Sequence, residues 1–251
     1  MSTPIRIGIV GISGRMGGET ASVARTDPRV TLVGGVIRPG STYVGESGEL
    51  ITEDVADLLL DVDVLLDLSL PAATATIANA TAKAGVPLLC GVTGIDENGL
   101  RALEAAASTI PVHWSRNLSV GIPVIADLLR QLAVALAGFD VEITETHHRG
   151  KRDAPSGTAL ILAEAIAGSR DQTLSDHTQY GRHGESLRKP QEIGIHSLRA
   201  GALPGEHSVL FASDDEELRV SHRALSRRAF AKGAVDAACA LVGCQPGLRI
   251  T

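Results

Sequence analysis

Aromatic residues and cysteines are scarce in this sequence, and long apolar runs are missing. Its 251 residues include three Phe, two Tyr and one Trp, so Ala, Val, Leu and Ile must build any core. The three cysteines, Cys90, Cys239 and Cys244, show no Cys-x-x-Cys spacing, which is typical of small buried hydrophobes in a reducing compartment. No stretch approaches the roughly 18 apolar residues of a membrane span, and the N-terminus has no signal-peptide pattern. We therefore expect a cytoplasmic protein without membrane contact.

Basic residues are fewer than acidic ones, 23 against 29. The formal net charge is -6, whereas a nucleic-acid-binding protein normally carries a basic domain or stripe, so we expect no nucleic-acid partner. The composition is that of a globular protein, 44% hydrophobic and 21% charged, with enough length for one large domain or two modest ones.

The first half of the sequence alternates between apolar strands and helices. The predicted strands read IRIGIVG, VTLVGGVI, DVDVLLDLS, VPLLCGVTG and IPVHWS, and three of the connections between them are helical. Such alternation predicts βαβ units and a parallel sheet of five strands.

After Ser119 the pattern changes. A longer helix over 120–138 precedes the alternating strand VEITET and the apolar helix GTALILAEAIAG, and a long polar loop is predicted over 169–192. The strands GIHSLRA, HSVLFAS and ELRVSH then predict an open, largely antiparallel sheet before a closing helix. We expect an α/β fold with a first domain over 1–118, to which 225–251 returns, and an α+β domain with an open mixed sheet over 119–224.

Three glycines, Gly11, Gly14 and Gly17, stand between the first predicted strand and the first helix. At such a junction small residues let the backbone turn tightly and approach a pyrophosphate at the helix N-terminus. We therefore predict a Rossmann-like dinucleotide-binding domain, with a purely structural turn as the alternative.

The second strand ends in GGVIRPGS. NAD-selective sites usually carry an acidic residue here, which accepts hydrogen bonds from the ribose hydroxyls. This sequence has Ile37 instead, followed by Arg38, and Arg15 adds a second cation in the glycine loop. The pattern predicts NADPH as the preferred cofactor over NADH, unless Arg38 is only a solvated residue at the strand end.

Two further stretches follow the fourth and fifth strands, CGVTG at 90–94 and SRNLSVG at 115–121. Because ligands bind outside the carboxyl ends of parallel strands, Thr93 and Asn117 are candidates to bond the nicotinamide end of the cofactor. The alternative is that both stretches are plain turns.

The densest group of titratable side chains is HHRGKRDAPSGT, residues 147–158. Ser156 or Thr158 is a natural N-cap for the following helix, whose first N–H groups favour a carboxylate or phosphate. Lys151 adds positive charge, and a histidine can act as a general acid near neutral pH. The cluster predicts a site for a small dianion beside a proton donor; the alternative is a capped helix after a solvated basic loop. Because adjacent His147 and His148 would point to opposite sides of an extended segment, we expect no metal.

The stretch EITETHHRGKRDAPSGTA, together with GISGRMG, GVTG, NLSVG, LRAGALPGEH and LSRRAFAKGAV, resembles the dihydrodipicolinate (4-hydroxy-tetrahydrodipicolinate) reductase family over nearly the whole chain. The resemblance implies reduction of 4-hydroxy-tetrahydrodipicolinate to tetrahydrodipicolinate with loss of water, in the diaminopimelate route to lysine. It also implies a small dicarboxylate substrate, NADH or NADPH as cofactor, and a homotetramer built through the sheet of the second domain.

The resemblance further implies roles for individual residues. His147 would donate a proton, Lys151 would hold or polarise the substrate, and the substrate carboxylates would bind to His148, Ser156, Gly157 and Thr158. The cofactor would bind to Gly11, Ile12, Ser13, Gly14, Arg15, Met16, Arg38, Gly91, Val92, Thr93, Ser115, Arg116, Asn117 and Leu118. Two residues depart from the family pattern: Ile37 replaces an acid that many members carry, and Arg116 stands where a small residue or proline is usual.

Two other functions stay open. Another NAD(P)-dependent imine or semialdehyde reductase could share the first domain, although a semialdehyde dehydrogenase needs a nucleophilic cysteine, for which Cys90 is the one strand-end candidate. The chain could also be a non-catalytic dinucleotide sensor, against which the presence of His147 and Lys151 speaks.

Overall fold

The computed structural model describes residues 3–251, whose contacts divide them into two compact units. Unit 1 comprises the residues up to Ser119 together with Arg227–Thr251, and unit 2 comprises Val120–Ser226. None of the helices in the described part of the chain has the length and apolar content needed to cross a membrane.

The strands of the described residues, in chain order, are β1 (Ile5–Val10), β2 (Val30–Val36), β3 (Leu50–Thr52), β4 (Val64–Asp67), β5 (Leu88–Cys90), β6 (Pro111–Trp114), β7 (Asp140–His147), β8 (Thr178–Tyr180), β9 (Ile193–Arg199), β10 (Glu206–Ala212), β11 (Glu217–Arg223) and β12 (Gly247–Ile250). The helices are α1 (Arg15–Ala24), α2 (Val55–Leu58), α3 (Pro71–Ala84), α4 (Glu97–Ala107), α5 (Gly121–Ala135), α6 (Gly157–Ser169), α7 (Leu174–His177) and α8 (Arg228–Leu241).

Unit 1 is built on a seven-stranded parallel sheet with the order β12-β6-β5-β4-β1-β2-β3. One face packs against α1 and α8 around Ile7 and Ile9, and the other packs against α3 and α4 around Leu65 and Leu88. Both faces are covered, which explains why these strands read as continuous apolar runs. The parallel sheet confirms the α/β Rossmann-like architecture predicted from the alternation.

Local signals in the sequence begin and end the helices of unit 1. Pro71 occupies the first turn of α3, and Gly85 ends that helix in the left-handed conformation with φ of 72°. Asp96 caps α4 by accepting the N–H of Gly99 at 2.8 Å. Pro71 and Asp96 thus mark where the loops that follow β4 and β5 end.

Unit 2 contains a five-stranded sheet with the order β11-β10-β7-β9-β8. Strands β7 and β10 turn Val141, Ile143, Val209 and the fully buried Phe211 towards the core that they share with α5 and α6. On β7 burial alternates along the whole strand, as expected for a sheet with one covered face.

Several short elements were not predicted from the sequence. Strands β3, β8 and β12 and helices α2 and α7 each have three or four residues, too few for a clear apolar period. The predicted loop over 169–192 therefore contains α7 and β8. The prediction of a largely antiparallel second sheet is wrong in two of its four strand pairs, because β9 is parallel to both β7 and β8. The sheet is mixed, in agreement with the expected fold class.

Candidate active site

The glycine loop of unit 1 turns sharply between β1 and α1. Gly11 has φ of 80°, a left-handed conformation that favours glycine, and its N–H bonds the carbonyl of Val36 at 2.9 Å. The N–H of Gly14 bonds back to the carbonyl of Gly11 at 2.9 Å, which closes the turn. Within residues 3–251 no side chain caps the first turn of α1, so its N-terminal dipole faces the loop.

The glycine loop forms one wall of a cavity of about 480 Å³ at the carboxyl ends of β1, β2 and β4. The residues that line it are Val10, Gly11, Ser13, Gly14, Val36, Ile37, Arg38, Pro39, Leu68, Ser69, Leu70 and Ala73. Its size is within the range of pockets that hold small organic ligands. The structure thus brings Arg38 to the same cavity as the glycine loop.

The predicted cofactor residues near this cavity differ in which of their atoms can contact a ligand. Ile12 is fully buried in the core, so only its backbone can contact a ligand. Arg15 and Arg38 are both exposed, as an anion-binding role requires. Ile37 is half-buried and packs against the core, where it offers no hydrogen-bonding group.

Residues 91–93 and 115–118 follow the neighbouring strands β5 and β6. The carbonyl of Val92 accepts the indole N–H of Trp114, the last residue of β6, at 2.9 Å, which ties the first segment to the end of that strand. Asn117 Oδ1 accepts the N–H of Ser119 at 2.8 Å, and Thr93 is exposed. The two segments therefore leave neighbouring strands at the same edge of the sheet.

An interaction that the sequence did not suggest supports the 115–118 segment. The backbone N–H of Arg116 bonds the carbonyl of Thr251 at 2.7 Å. The hydroxyl of Thr251 lies 2.9 Å from both Ser115 Oγ and His113 Nε2. Thr251, the residue after strand β12, thus supports the predicted cofactor loop.

Cys90 does not have the environment of a nucleophile. It is fully buried in the core of unit 1. Burial, reinforced by the charge of nearby Asp67, raises the pKa of the Cys90 thiol to about 12. A thiol in this state supplies almost no thiolate at neutral pH.

In unit 2 a carboxylate and an imidazole lie side by side on the covered face of β7. Glu145 and His147 are two residues apart on the strand, so both point inwards. Glu145 is fully buried and His147 is 7% exposed. Their contact joins Glu145 Oε2 and His147 Nδ1 at 2.5 Å.

Arg199 and Ser156 complete the surroundings of the Glu145 carboxylate. The guanidinium of Arg199 donates to both oxygens, each at 2.9 Å, and the N–H of Ser156 donates to Oε1 at 3.2 Å. Burial by itself would raise the pKa of Glu145, but the hydrogen bonds from His147 and Arg199 outweigh it and hold this pKa at about 2. The carboxylate is therefore ionised at neutral pH.

Ser156, and not Thr158, is the N-cap of α6. Its hydroxyl accepts the N–H of Ala159 at 3.1 Å and also lies 2.9 Å from Nε2 of the buried His207. Burial is the main cause that lowers the pKa of His207, to about 3, so this ring is neutral at pH 7. A contact of the Ser156 hydroxyl with substrate, as predicted, would compete with these two internal bonds. The other predicted contact, with the N–H groups of the helix turn, uses backbone atoms and not this side chain.

The remaining predicted residues of this cluster stand around the start of α6. Lys151 donates to both carboxylate oxygens of Asp153, at 2.9 and 2.8 Å. His148 is half-buried, and its N–H bonds the carbonyl of Leu203 at 2.9 Å. Gly157 is half-buried and Thr158 is buried, both in the first turn of α6. Within residues 3–251 no group of three or more His, Cys, Asp or Glu side chains has the arrangement of a metal site.

Two residues of this network, Arg199 and His207, were missed as site residues from the sequence. The register places them: His147 pairs with Arg199 across β7 and β9, and Glu145 pairs with His207 across β7 and β10. One signal could have identified His207, because it shares the inward positions of its strand with the apolar Val209 and Phe211.

Comparisons with known proteins agree across both units. The family model for the N-terminus of dihydrodipicolinate reductase matches residues 5–118, and the model for its C-terminus matches residues 121–250. The 4-hydroxy-tetrahydrodipicolinate reductase of Rubrobacter xylanophilus is 44% identical and that of Thermomicrobium roseum 43% identical, each over 97% of this chain and at least 95% of the relative.

A solved structure agrees with them. The dipicolinate-bound dihydrodipicolinate reductase from Paenisporosarcina sp. TG-14 has 25% identity and a TM-score of 0.77, and the match covers 99% of this chain and 98% of that one. The chain therefore belongs to the dihydrodipicolinate reductase family.

Proposed function

We propose that this chain reduces 4-hydroxy-tetrahydrodipicolinate to tetrahydrodipicolinate with loss of water, in diaminopimelate and lysine biosynthesis, and that it prefers NADPH to NADH. Family membership over residues 5–118 and 121–250 is the observation that carries the proposal. The buried Glu145–His147 pair beside the N-cap of α6 adds a proton-transfer group next to an anion-binding helix turn.

The proposed cofactor residues are those of the glycine loop (Gly11, Ile12, Ser13, Gly14, Arg15 and Met16), Arg38, residues 91–93 and residues 115–118. The close backbone packing of the loop and the adjoining cavity of about 480 Å³ fit a nicotinamide dinucleotide. A bound reduced dinucleotide supplies the hydride. The protein supplies the backbone N–H groups and the exposed guanidinium of Arg38, which favour phosphate groups.

The proposed substrate site is at the N-terminus of α6. Positive charge from Lys151, the side chain of His148 and the first-turn N–H groups of Gly157 and Thr158 suit a small dicarboxylate. Dipicolinate, which the Paenisporosarcina reductase binds, is a ring with two carboxylates and fits that description. Since Lys151 is paired with Asp153, we propose that it leaves this exposed partner for the substrate.

His147 is the proposed proton donor. Loss of the 4-hydroxyl as water leaves a carbon that conjugation with the ring imine makes electrophilic. After hydride adds to that carbon, the substrate is an enamine, and protonation of the enamine carbon completes the reduction. The charge of Lys151 stabilises the negative charge that develops near the substrate carboxylates.

A direct assay tests the function. The product of dihydrodipicolinate synthase is mixed with the protein and NADPH, and NADPH oxidation is followed by its absorbance. We expect oxidation that depends on both protein and substrate. NADPH binding without oxidation would instead identify a dinucleotide sensor.

The same assay with an amino-acid semialdehyde tests the alternative that the protein is a semialdehyde reductase. The buried, high-pKa thiol of Cys90 speaks against a thiol-dependent semialdehyde dehydrogenase. We expect no turnover of the semialdehyde, and activity on the proposed substrate that survives iodoacetamide even where the exposed Cys244 is alkylated.

We further propose that residues 119–224 bind the substrate and form a homotetramer, while residues 1–118 with 225–251 bind the dinucleotide. On the face of the unit 2 sheet opposite α5 and α6, Leu198 is 46% exposed and pairs with half-buried Thr146, and the half-buried Leu210 is on the same face of β10. Exposed apolar sheet surface is commonly covered by self-association. Light scattering should give about four times the 26.1 kDa chain mass, and a monomer at micromolar concentration would refute this.

A cytoplasmic location is also part of the proposal. The three cysteines are all free thiols, which is compatible with a reducing compartment. Fractionation of the cells that make the protein would test it.

A further inference from the structure

Glu145, the buried carboxylate next to His147, is kept ionised by its neighbours. Glu145 is fully buried, and its two oxygens already accept from Arg199 Nη1 and Nη2 at 2.9 Å each. Burial by itself would raise the pKa of Glu145, but the side-chain hydrogen bonds from His147 and Arg199 outweigh it and hold this pKa at about 2. An ionised carboxylate can only accept hydrogen bonds.

The 2.5 Å contact between Glu145 Oε2 and His147 Nδ1 therefore contains a hydrogen that belongs to the imidazole. With Nδ1 protonated in every state of the ring, Nε2 is the nitrogen that takes up and releases the second proton. The sequence pattern named His147 but did not distinguish its two nitrogens.

Gly205, the residue before β10, packs closely against Nε2 of His147. A β-carbon at Gly205 would lie 2.9 Å from His147 Nε2 and 3.3 Å from its Cδ2. His147 is only 7% exposed, so any other side chain here would crowd the nitrogen that must reach a substrate atom, and glycine avoids that contact.

The charged and titratable groups that surround His147 come from four parts of unit 2. Glu145 is on β7, Arg199 is on β9, Lys151 is in the loop after β7, and His207 is on β10. The His207 ring is perpendicular to that of His147, at 74° and 5.2 Å between centroids, and its lowered pKa keeps it neutral near pH 7.

His222 on β11 lies beyond His207, and its pKa is also lowered by burial. Asp153, which pairs with Lys151, is exposed to solvent, so Glu145 is the one buried member of this group that carries negative charge. This buried charge favours the imidazolium form of His147.

We propose that Glu145 is a positioning residue for proton donation: it holds the Nδ1 proton of His147, directs donation to Nε2, and stabilises the imidazolium with a charge that Arg199 keeps in place. The proposal rests on the proposed function. In the donation step the Nε2–H bond breaks and its proton joins the enamine carbon of the substrate. The electron pair stays on Nε2, which leaves a neutral ring protonated at Nδ1.

The test that does not depend on activity is imidazole nitrogen NMR of the unchanged protein, with the His147 signal identified by its loss in His147→Gln. At a pH where the ring is neutral, we expect Nδ1 to be the protonated nitrogen. Protonation at Nε2 would overturn the proposal, whether or not the protein reduces the proposed substrate.

The kinetic test compares Glu145→Gln and Glu145→Asp across pH. Gln can still accept from Nδ1 but has lost the charge, so we expect kcat to fall about 10- to 100-fold. Activity on the alkaline side should be lost roughly one pH unit lower, because the imidazolium is no longer stabilised. KM should change much less than kcat, and Asp should restore part of the rate and of the profile.

Glu142→Gln is the matched control. Glu142 is on the same strand and contacts a histidine, His196 Nε2 at 2.6 Å, but it is outside the network around His147. Its pH profile should keep the shape of the unchanged enzyme. A Glu145→Gln enzyme with an unchanged profile would overturn the proposal while leaving the proposed function intact. If Glu145→Gln does not fold, the NMR result decides.

Discussion

Gly17 lies directly against the backbone of Gly11: a β-carbon added to Gly17 would be 2.1 Å from the Gly11 carbonyl oxygen. The same atom would be 2.7 Å from the Gly11 carbonyl carbon and from Ile12 Cα. These contacts are with backbone, which cannot move aside as the end of a flexible side chain can. The third glycine of the loop is therefore what allows α1 to begin so close to β1.

Replacing Gly17 with alanine should expand this junction. Overpacking of this kind costs about 1–3 kcal/mol, and it displaces the N–H groups proposed to bind phosphate. We expect a lower melting temperature and about tenfold or more weaker NADPH binding in a fluorescence titration. Gly18→Ala is the control, because its nearest contact would be an ordinary 3.6 Å. Equal NADPH affinity in the two variants would contradict the role given to Gly17.

His147→Ala and Lys151→Ala should each lower kcat by roughly 100-fold or more, the usual size of general-acid and charge-stabilising contributions. NADPH binding should change little, because the proposed cofactor residues are in unit 1. The exposed residues His183 and Lys83 supply controls of the same types, and their alanine variants should keep near-normal rates. Normal turnover in either site variant would remove that residue from the mechanism.

Much of unit 1 could be predicted because its signals are local. Buried strands such as β1 and β4 are apolar runs, and helices α3 and α4 begin at Pro71 and after Asp96. Strand β12 was missed because its four residues include one arginine and little apolar periodicity. It forms because its backbone pairs with the edge strand β6, a contact between segments more than 130 residues apart.

In the candidate site of unit 2, too, features within one segment could be predicted and contacts between distant segments could not. Residues 147–158 are contiguous, so their chemistry could be read together. Arg199 and His207 reach Glu145 and His147 only through strand register, and the parallel pairing of β7 with β9 was not predicted. The sequence also showed Glu145 without showing that it would be fully buried, which is what gives its charge an effect on His147.

The free energy of unfolding should fall as the pH is lowered from about 6.5 towards 3, the interval between the unfolded and folded pKa values of His207. The pKa of His207 is about 3 in the folded protein and ordinarily about 6.5, so below pH ~6.5 the unfolded chain binds a proton that the folded chain does not. Stability rises with pH wherever the unfolded state binds more protons. This group therefore contributes a loss of about 1 kcal/mol per pH unit on acidification.

Urea unfolding at pH 7 and pH 5 measures this slope. Glu145, with a folded pKa of about 2, adds its own loss in the same direction only below about pH 4.5, outside this range. The pKa values of His113 and His222 are also lowered by burial and add to the slope. His207→Gln should reduce the slope, whereas Val209→Ala, a buried neighbour on the same strand, should lower stability at both pH values and keep the slope. An unchanged slope in His207→Gln would show that His207 does not titrate as expected.

Cofactor preference depends on Arg38 and Ile37. A charge-assisted contact between Arg38 and the 2′-phosphate is worth about 1.5–3 kcal/mol where partly shielded, and less here because Arg38 is exposed. Ile37 offers NADH no acceptor for its ribose hydroxyls. We expect kcat/KM for NADPH to exceed that for NADH by roughly tenfold, and by more at low salt.

Arg38→Ala should remove this preference, and Ile37→Glu combined with Arg38→Ala should reverse it. The half-buried position of Ile37 means that the double variant also needs a melting-temperature check. Arg101→Ala is the charge-matched control, since Arg101 is an exposed residue of α4 that does not line the cavity of the glycine loop. Because a general loss of positive charge would affect both arginine variants alike, only a direct contact predicts an effect of Arg38 alone. Equal efficiency with the two cofactors at low ionic strength in the unchanged enzyme would mean that Arg38 does not contact the 2′-phosphate.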